Sequence, residues 1–126
     1  MKYAIYQIRL TEAQIDLINE TQSFESVPAK KAKIDMDMDF AGHKIGGLAY
    51  DAFVENNFYT HVANIEAASV NEVFHIGNMG PEENIERLAQ MHSISVGDVL
   101  VDEEGQCIVV APIGFVAFSH DWRLAA

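Results

Sequence analysis

The sequence predicts an α+β domain: a mostly antiparallel sheet with three to four short helices, ending in a C-terminal β-hairpin and one further short strand. Three observations predict it. The chain opens on an alternating apolar run at residues 2–10. Two boxes, Thr11-Glu12-Ala13-Gln14 and Ser69-Val70-Asn71-Glu72, each head a run with helical apolar spacing. Near the end, Asp102-Glu103-Glu104-Gly105 separates two apolar runs at hairpin spacing.

Taken in order, residues 2–10 read as a strand with Tyr3, Ile5 and Gln7 on one face and Ala4, Tyr6, Ile8 and Leu10 on the other. Both faces are apolar, which suits a central strand. Thr11 caps a helix whose buried stripe is Ile15, Leu17 and Ile18. Residues 23–30, with Pro28, read as a linker. Ile34, Met36, Met38 and Phe40 then alternate with Asp35, Asp37 and Asp39, which predicts a strand with its carboxylates outward. Residues 48–56 read as a short helix and 58–65 as a strand rich in Tyr, Thr, Val and Ile. Ser69 opens a helix to about residue 76, ended by Gly77-Asn78-Met79-Gly80. Pro81, Glu82 and Glu83 predict the start of another helix, burying Ile85, Leu88 and Ala89. Ser95-Val96-Gly97-Asp98 turns the chain into the hairpin, and residues 115–118 add the last strand. No repeat, low-complexity tract or boundary divides the chain, so residues 1–126 form one domain.

Composition narrows the function classes. At 126 residues and 49% hydrophobic content the chain can bury a proper core. No apolar stretch approaches the ~20 residues of a membrane span. The alternating N-terminus does not read as a signal peptide, so a cytoplasmic protein with no membrane partner is expected. Cys107 is the single cysteine and sits in an apolar run, which predicts a buried thiol and no disulfide. The net charge is −11 and uneven: residues 1–44 carry seven acids and six bases, residues 45–126 twelve acids and only Arg87 and Arg123. Such a surface repels phosphate, so direct nucleic-acid binding is not expected; a basic, or nucleic-acid-binding, protein partner is.

No set of residues forms a complete active site. The acids at 35–39 lack the turn glycine and distant Glu of a calcium loop: Phe40 and Gly46 stand where those would be. His43, His61, His75, His92 and His120 form no helical metal pair, so no metal or cofactor is expected. Ser93, Ser95 and Cys107 lack a nucleophile elbow or a Gly-rich loop. The candidate partner-binding residues are the acids Asp35, Asp37, Asp39, Glu82, Glu83 and Glu86. Phe115, Phe118 and Trp122 exceed what one small core readily takes, which allows a homodimer.

Three segments resemble a known family. His92-Ser93-Ile94-Ser95-Val96-Gly97-Asp98-Val99-Leu100 followed by Ile113-Gly114-Phe115, the opening Lys2-Tyr3-Ala4-Ile5-Tyr6-Gln7-Ile8, and Ser69-Val70-Asn71-Glu72-Val73-Phe74 are similar to the YodL-like domains of phages, plasmids and other bacterial mobile elements. Gly97 departs from that family's pattern, and residues 23–47 lie outside the likeness. The resemblance implies no catalytic residues. It implies a context, an accessory protein acting in a bacterial host. The expectation is a non-enzymatic protein-binding module that modulates or inhibits a host protein. One form is an anti-defence inhibitor, of anti-restriction or anti-CRISPR type, with an acidic face that mimics nucleic acid. The alternatives are a small-ligand-binding domain and a small hydrolase.

Overall fold

Why the opening strand is apolar on both faces is plain in the computed structural model, which describes residues 1–118. Strand β1, Lys2–Ile8, runs through the middle of a six-stranded sheet, between β2, Tyr59–Glu66, and β4, Val99–Val101. Strand β3, Ile85–Arg87, lies beyond β2; β5, Cys107–Val110, and β6, Phe115–Phe118, lie beyond β4. The order is β3-β2-β1-β4-β5-β6 and every pairing is antiparallel. The expected hairpin and final strand are β4, β5 and β6. Cys107 is buried in them. His120, Trp122 and Arg123 lie outside the described residues.

The sheet is covered on both faces. On one, Tyr3, Ile5, Val62, Ile65, Leu100 and Val110 pack with Val73 and Ile76 of α4, Val70–Met79. On the other, Ile8, Tyr59, Val99 and Val109 pack with Met36 of α2, Pro28–Asp37, and with Ile45 and Ala49 of α3, Ile45–Tyr50. A π-helical turn, Asp51–Glu55, follows α3 and carries Phe53 against Tyr6 and Tyr59. Thr11 caps α1, Glu12–Thr21, with both halves of its box formed. Ser69 caps α4, accepting from the Glu72 N–H at 3.3 Å. Ile15 and Leu17 are exposed, and of the expected stripe only Ile18 packs on the core. Two residues apart on a helix they point about 200° apart, so one stripe cannot hold both.

Two elements correct the sequence reading. Residues 34–40 are not a strand; 34–37 are the last turn of α2 and 38–40 leave it. Pro28 takes the first helical position, and the expected linker becomes a 3-10 turn, Phe24–Ser26, leading into it. Lys31 and Lys33 reach Asp35 and Asp37 at 3.0 Å, the four-residue spacing that favours helix over strand. Met36 is fully buried, while Met38 and Phe40 are 62% and 66% exposed. A seven-residue alternation was too short to outweigh the lysines and alanines before it.

The helix expected from Pro81 is also absent. A 3-10 turn, Glu82–Asn84, leads directly into β3. Residues 85–87 find a ladder partner in Ala63, Asn64 and Ile65, and the Leu88 and Ala89 amides donate to the Val62 carbonyl. An isolated helix of that length is marginal in water, so sheet pairing wins. Ile85 packs on the core, but Leu88 and Ala89 are exposed. At the other boundary, α4 runs past Gly77 to Met79, so Gly77 lies inside the helix.

Asp39 works as a local cap. Its Oδ2 accepts from the Lys44 and Ile45 amides at 2.8 and 2.7 Å, at the start of α3. Ile45 is fully buried, so Asp39→Ala is expected to cost about 1–2 kcal/mol, read by urea denaturation.

Candidate functional site: an acidic sheet edge, an apolar groove and a clamped strap

The six predicted acids divide into two sets. Asp35, Asp37 and Asp39 do not form a stripe: two are paired to lysines along α2 and the third caps α3. Glu82, Glu83 and Glu86 lie in or just before β3 at the edge of the sheet, where Glu83 and Glu86 share one pocket. Glu82 forms a two-pronged pair with Arg87, which holds its carboxyl below the usual range. Glu86 accepts from Asn64 Nδ2 at 2.7 Å. Beside them a shallow pocket of about 350 Å³ is lined by Lys2, Asn64, Glu66, Glu83, Asn84, Ile85 and Glu86. Glu66, which the sequence reading did not select, adds a third carboxylate there and holds the N-terminal ammonium at 3.0 Å. The outer edge of β3 has no strand partner among the described residues.

On the α4 face, the helix covers β2 and β1 but leaves room over β5 and β6. The resulting groove, about 520 Å³, is lined by Phe74 of α4, by Ile94, Ser95 and Val96, and by Val110, Pro112 and Phe115. Phe74 and Phe115 meet edge to face at 6.1 Å, and Ile113 stands 85% exposed nearby.

One wall of this groove belongs to a segment held by side chains of β1, β2, α2 and α4. The chain must cross from β3, at the sheet edge, past the ends of β2 and β1 to reach β4. A crossing segment cannot join the ladder, so its backbone groups need other partners. Side chains supply most of them from residue 92 to 97, and backbone bonds to Val110 and Ser95 serve the Gly97 and Asp98 amides. Gln7 of β1 donates to the His92 carbonyl at 2.9 Å and accepts from the His92 amide at 3.1 Å. Asn78 of α4 does the same for Ile94, donating at 3.3 Å and accepting at 2.7 Å. Each carboxamide stands in for a neighbouring peptide group. Lys33 of α2 donates to the Val96 carbonyl, and the Tyr59 hydroxyl donates to the Gly97 carbonyl at 2.6 Å. Gly97 turns at φ +90°, where a side chain would be strained, and a Cβ there would just touch Lys33 and Met36 at 3.4 Å.

Asp98 closes the strap. Its Oδ2 accepts from the Ser95 amide at 2.9 Å and from Gln7 Nε2 at 3.0 Å. Asp98 is 1% exposed and Gln7 fully buried. Burial pushes the Asp98 carboxyl up to about 6, against the pull of these hydrogen bonds and of His92 and Lys33. The same burial, with Asp98 beside it, drives the Tyr59 phenol well above its ordinary value.

The sequence reading placed Gln7 on a strand face and residues 95–98 in a turn, but missed their union. The available signal was a lone Gln at the end of an otherwise apolar strand face, which needs a partner when buried. Among the described residues no histidine is hydrogen bonded to a carboxylate or hydroxyl; His61 meets Asn64 Oδ1 and His92 meets the Ser93 carbonyl. Among the described residues, no three His, Cys, Asp or Glu side chains could hold a metal ion. No helix of the described residues is long and apolar enough to cross a membrane. No family model, curated protein or solved structure matches the chain.

Proposed function

We propose that the chain is a non-enzymatic protein-binding module that engages a basic protein of a bacterial host, in the phage or plasmid setting implied by the likeness to YodL-like domains. The observation that carries the reading is the β3 edge. Glu66, Glu83 and Glu86 surround a pocket beside a strand whose outer edge carries no further strand among the described residues. An extended segment can pair with such an edge, and Lys or Arg side chains on it would meet the carboxylates. The net charge of −11 steers a basic partner toward it. The nucleic-acid-mimicking form of the reading loses the stripe at Asp35, Asp37 and Asp39 and rests on this edge alone.

The test is capture of a partner from host lysate by the immobilised protein, across a salt series. Capture should fall at least about tenfold between 0.1 and 0.5 M salt, as the screening length shortens, and again in the triple variant E66Q/E83Q/E86Q. Capture indifferent to both would remove the acidic edge from the reading.

The groove supports a second reading, a small apolar ligand. Its lining is aromatic and aliphatic, with Asn71 and Ser95 as polar groups at the wall. An apolar fluorescent probe that binds the wild type and not F74S would favour it.

A further inference from the structure

We infer that Asp98 is a proton-operated latch on the 92–98 strap: its carboxyl, enclosed by Gln7, Ser95 and the Gly97 turn, holds the strap down when neutral and loosens it when ionised.

The geometry sets this up. Asp98 lies at the junction of the strap and β4, just past the Gly97 turn, so lifting the strap about that turn brings water to the carboxyl. Both of its hydrogen bonds fall on Oδ2. Among the described residues no ion pair reaches it. Lys33, the charged group facing it from α2, is engaged by Asp37 at 3.0 Å and by the Val96 carbonyl. From β2 the facing group is Tyr59, whose hydroxyl donates to Gly97. From β1 it is Gln7, which is uncharged. His92, on the strap itself, is exposed, and its attraction favours the ionised form. An ionised Asp98 is therefore a buried charge without a contacting cation, the arrangement that favours either protonation or exposure.

The sign follows from the two states. With the strap closed the carboxyl titrates near 6; with the strap lifted it returns toward its ordinary 3.8. The open state binds its proton more weakly, so opening rises with pH through that window, about tenfold per pH unit and on the order of 100-fold in all, and levels off above it. Ile94, Ser95 and Val96 form a wall of the groove, so the latch sets how rigid that wall is. At low pH the wall is fixed; near neutrality it yields.

The experiment uses the free protein, so its outcome is independent of either binding reading. Amide hydrogen exchange is followed by NMR at Ile94, Ser95, Gly97 and Asp98 from pH 4.5 to 7.5, corrected for the intrinsic rate. The Asp98 carboxyl carbon is titrated in the same samples. Strap opening should rise with pH, with its midpoint at that of the carboxyl, while the β1 amides stay unchanged. In Asp98→Asn, whose carboxamide oxygen can still accept from Gln7 and Ser95, the dependence should vanish. In His92→Gln it should remain. Opening indifferent to pH in the wild type, a midpoint that does not follow Asp98, or loss of the dependence in His92→Gln would overturn the latch. If Asp98→Asn does not fold, coincidence of the two wild-type midpoints decides.

Discussion

Gln7→Leu is expected to cost about 3–5 kcal/mol of folding stability, although it replaces a fully buried polar side chain with an apolar one of similar size. The carboxamide serves three partners: the His92 amide, the His92 carbonyl and Asp98 Oδ2. Leucine serves none. Each orphaned group loses about 1–3 kcal/mol, and the carboxylate loses more because its charge is already confined. The gain from burying apolar surface, about 2 kcal/mol, offsets only part of this. Against a typical total of about 5–15 kcal/mol, the variant should be close to unfolding at 37 °C. Urea denaturation at pH 7 measures it. A loss under 1 kcal/mol would mean that water or a rearranged strap replaces Gln7.

Gly77→Val is expected to be nearly as damaging, about 3 kcal/mol. A glycine inside a helix is a poor choice on propensity, costing about 1 kcal/mol relative to alanine. The reason for it is Ile94. A Cβ built on Gly77 would sit 2.2 Å from Ile94 Cδ1 and 2.7 Å from Cγ1. Ile94 is buried beside Ile65, and its backbone is held by Asn78, one residue further along the same helix. Ile94 is 2% exposed, so its side chain has little room to withdraw. Alanine should be tolerated better than valine, because only the tip and one carbon of Ile94 must move. Thermal denaturation of Gly77→Ala and Gly77→Val tests the order; equal, small effects would show that Ile94 repacks freely.

Much of the fold was legible because its signals are local. The Thr11 box, the turn at residues 95–98 and the Asp102–Gly105 loop each depend on neighbours a few residues away, and each formed where expected. The apolar character of both faces of β1 read correctly as a central strand. The two errors share one cause. Residues 34–40 and 81–89 carry patterns that fit two structures, and the choice was made by partners the pattern does not contain. For the first, the lysines at 31 and 33 supplied the helical pairs. For the second, the free side of β2 supplied a ladder.

The candidate sites divide in the same way. The acidity of residues 45–126 is a property of composition, readable without a fold. Which acids are spent locally is not: Asp35, Asp37 and Asp39 are consumed by Lys31, Lys33 and α3, whereas Glu83 and Glu86 are gathered with Glu66. The strap lay furthest from view. Gln7 and Asp98 are 91 residues apart, and their pairing depends on where a crossing segment passes the sheet.

By itself the sequence determined the α+β class, the central opening strand, the C-terminal hairpin and the excess of negative charge. These follow from local periodicity, capping and turn chemistry, and from counting. Only the tertiary structure decided that residues 34–37 close a helix, that β3 forms an acidic edge, and that the 92–98 strap is clamped by Gln7, Asn78 and Asp98. The physical reason is that buried polar groups must find partners, and for a segment crossing a sheet those partners come from elements distant in the chain.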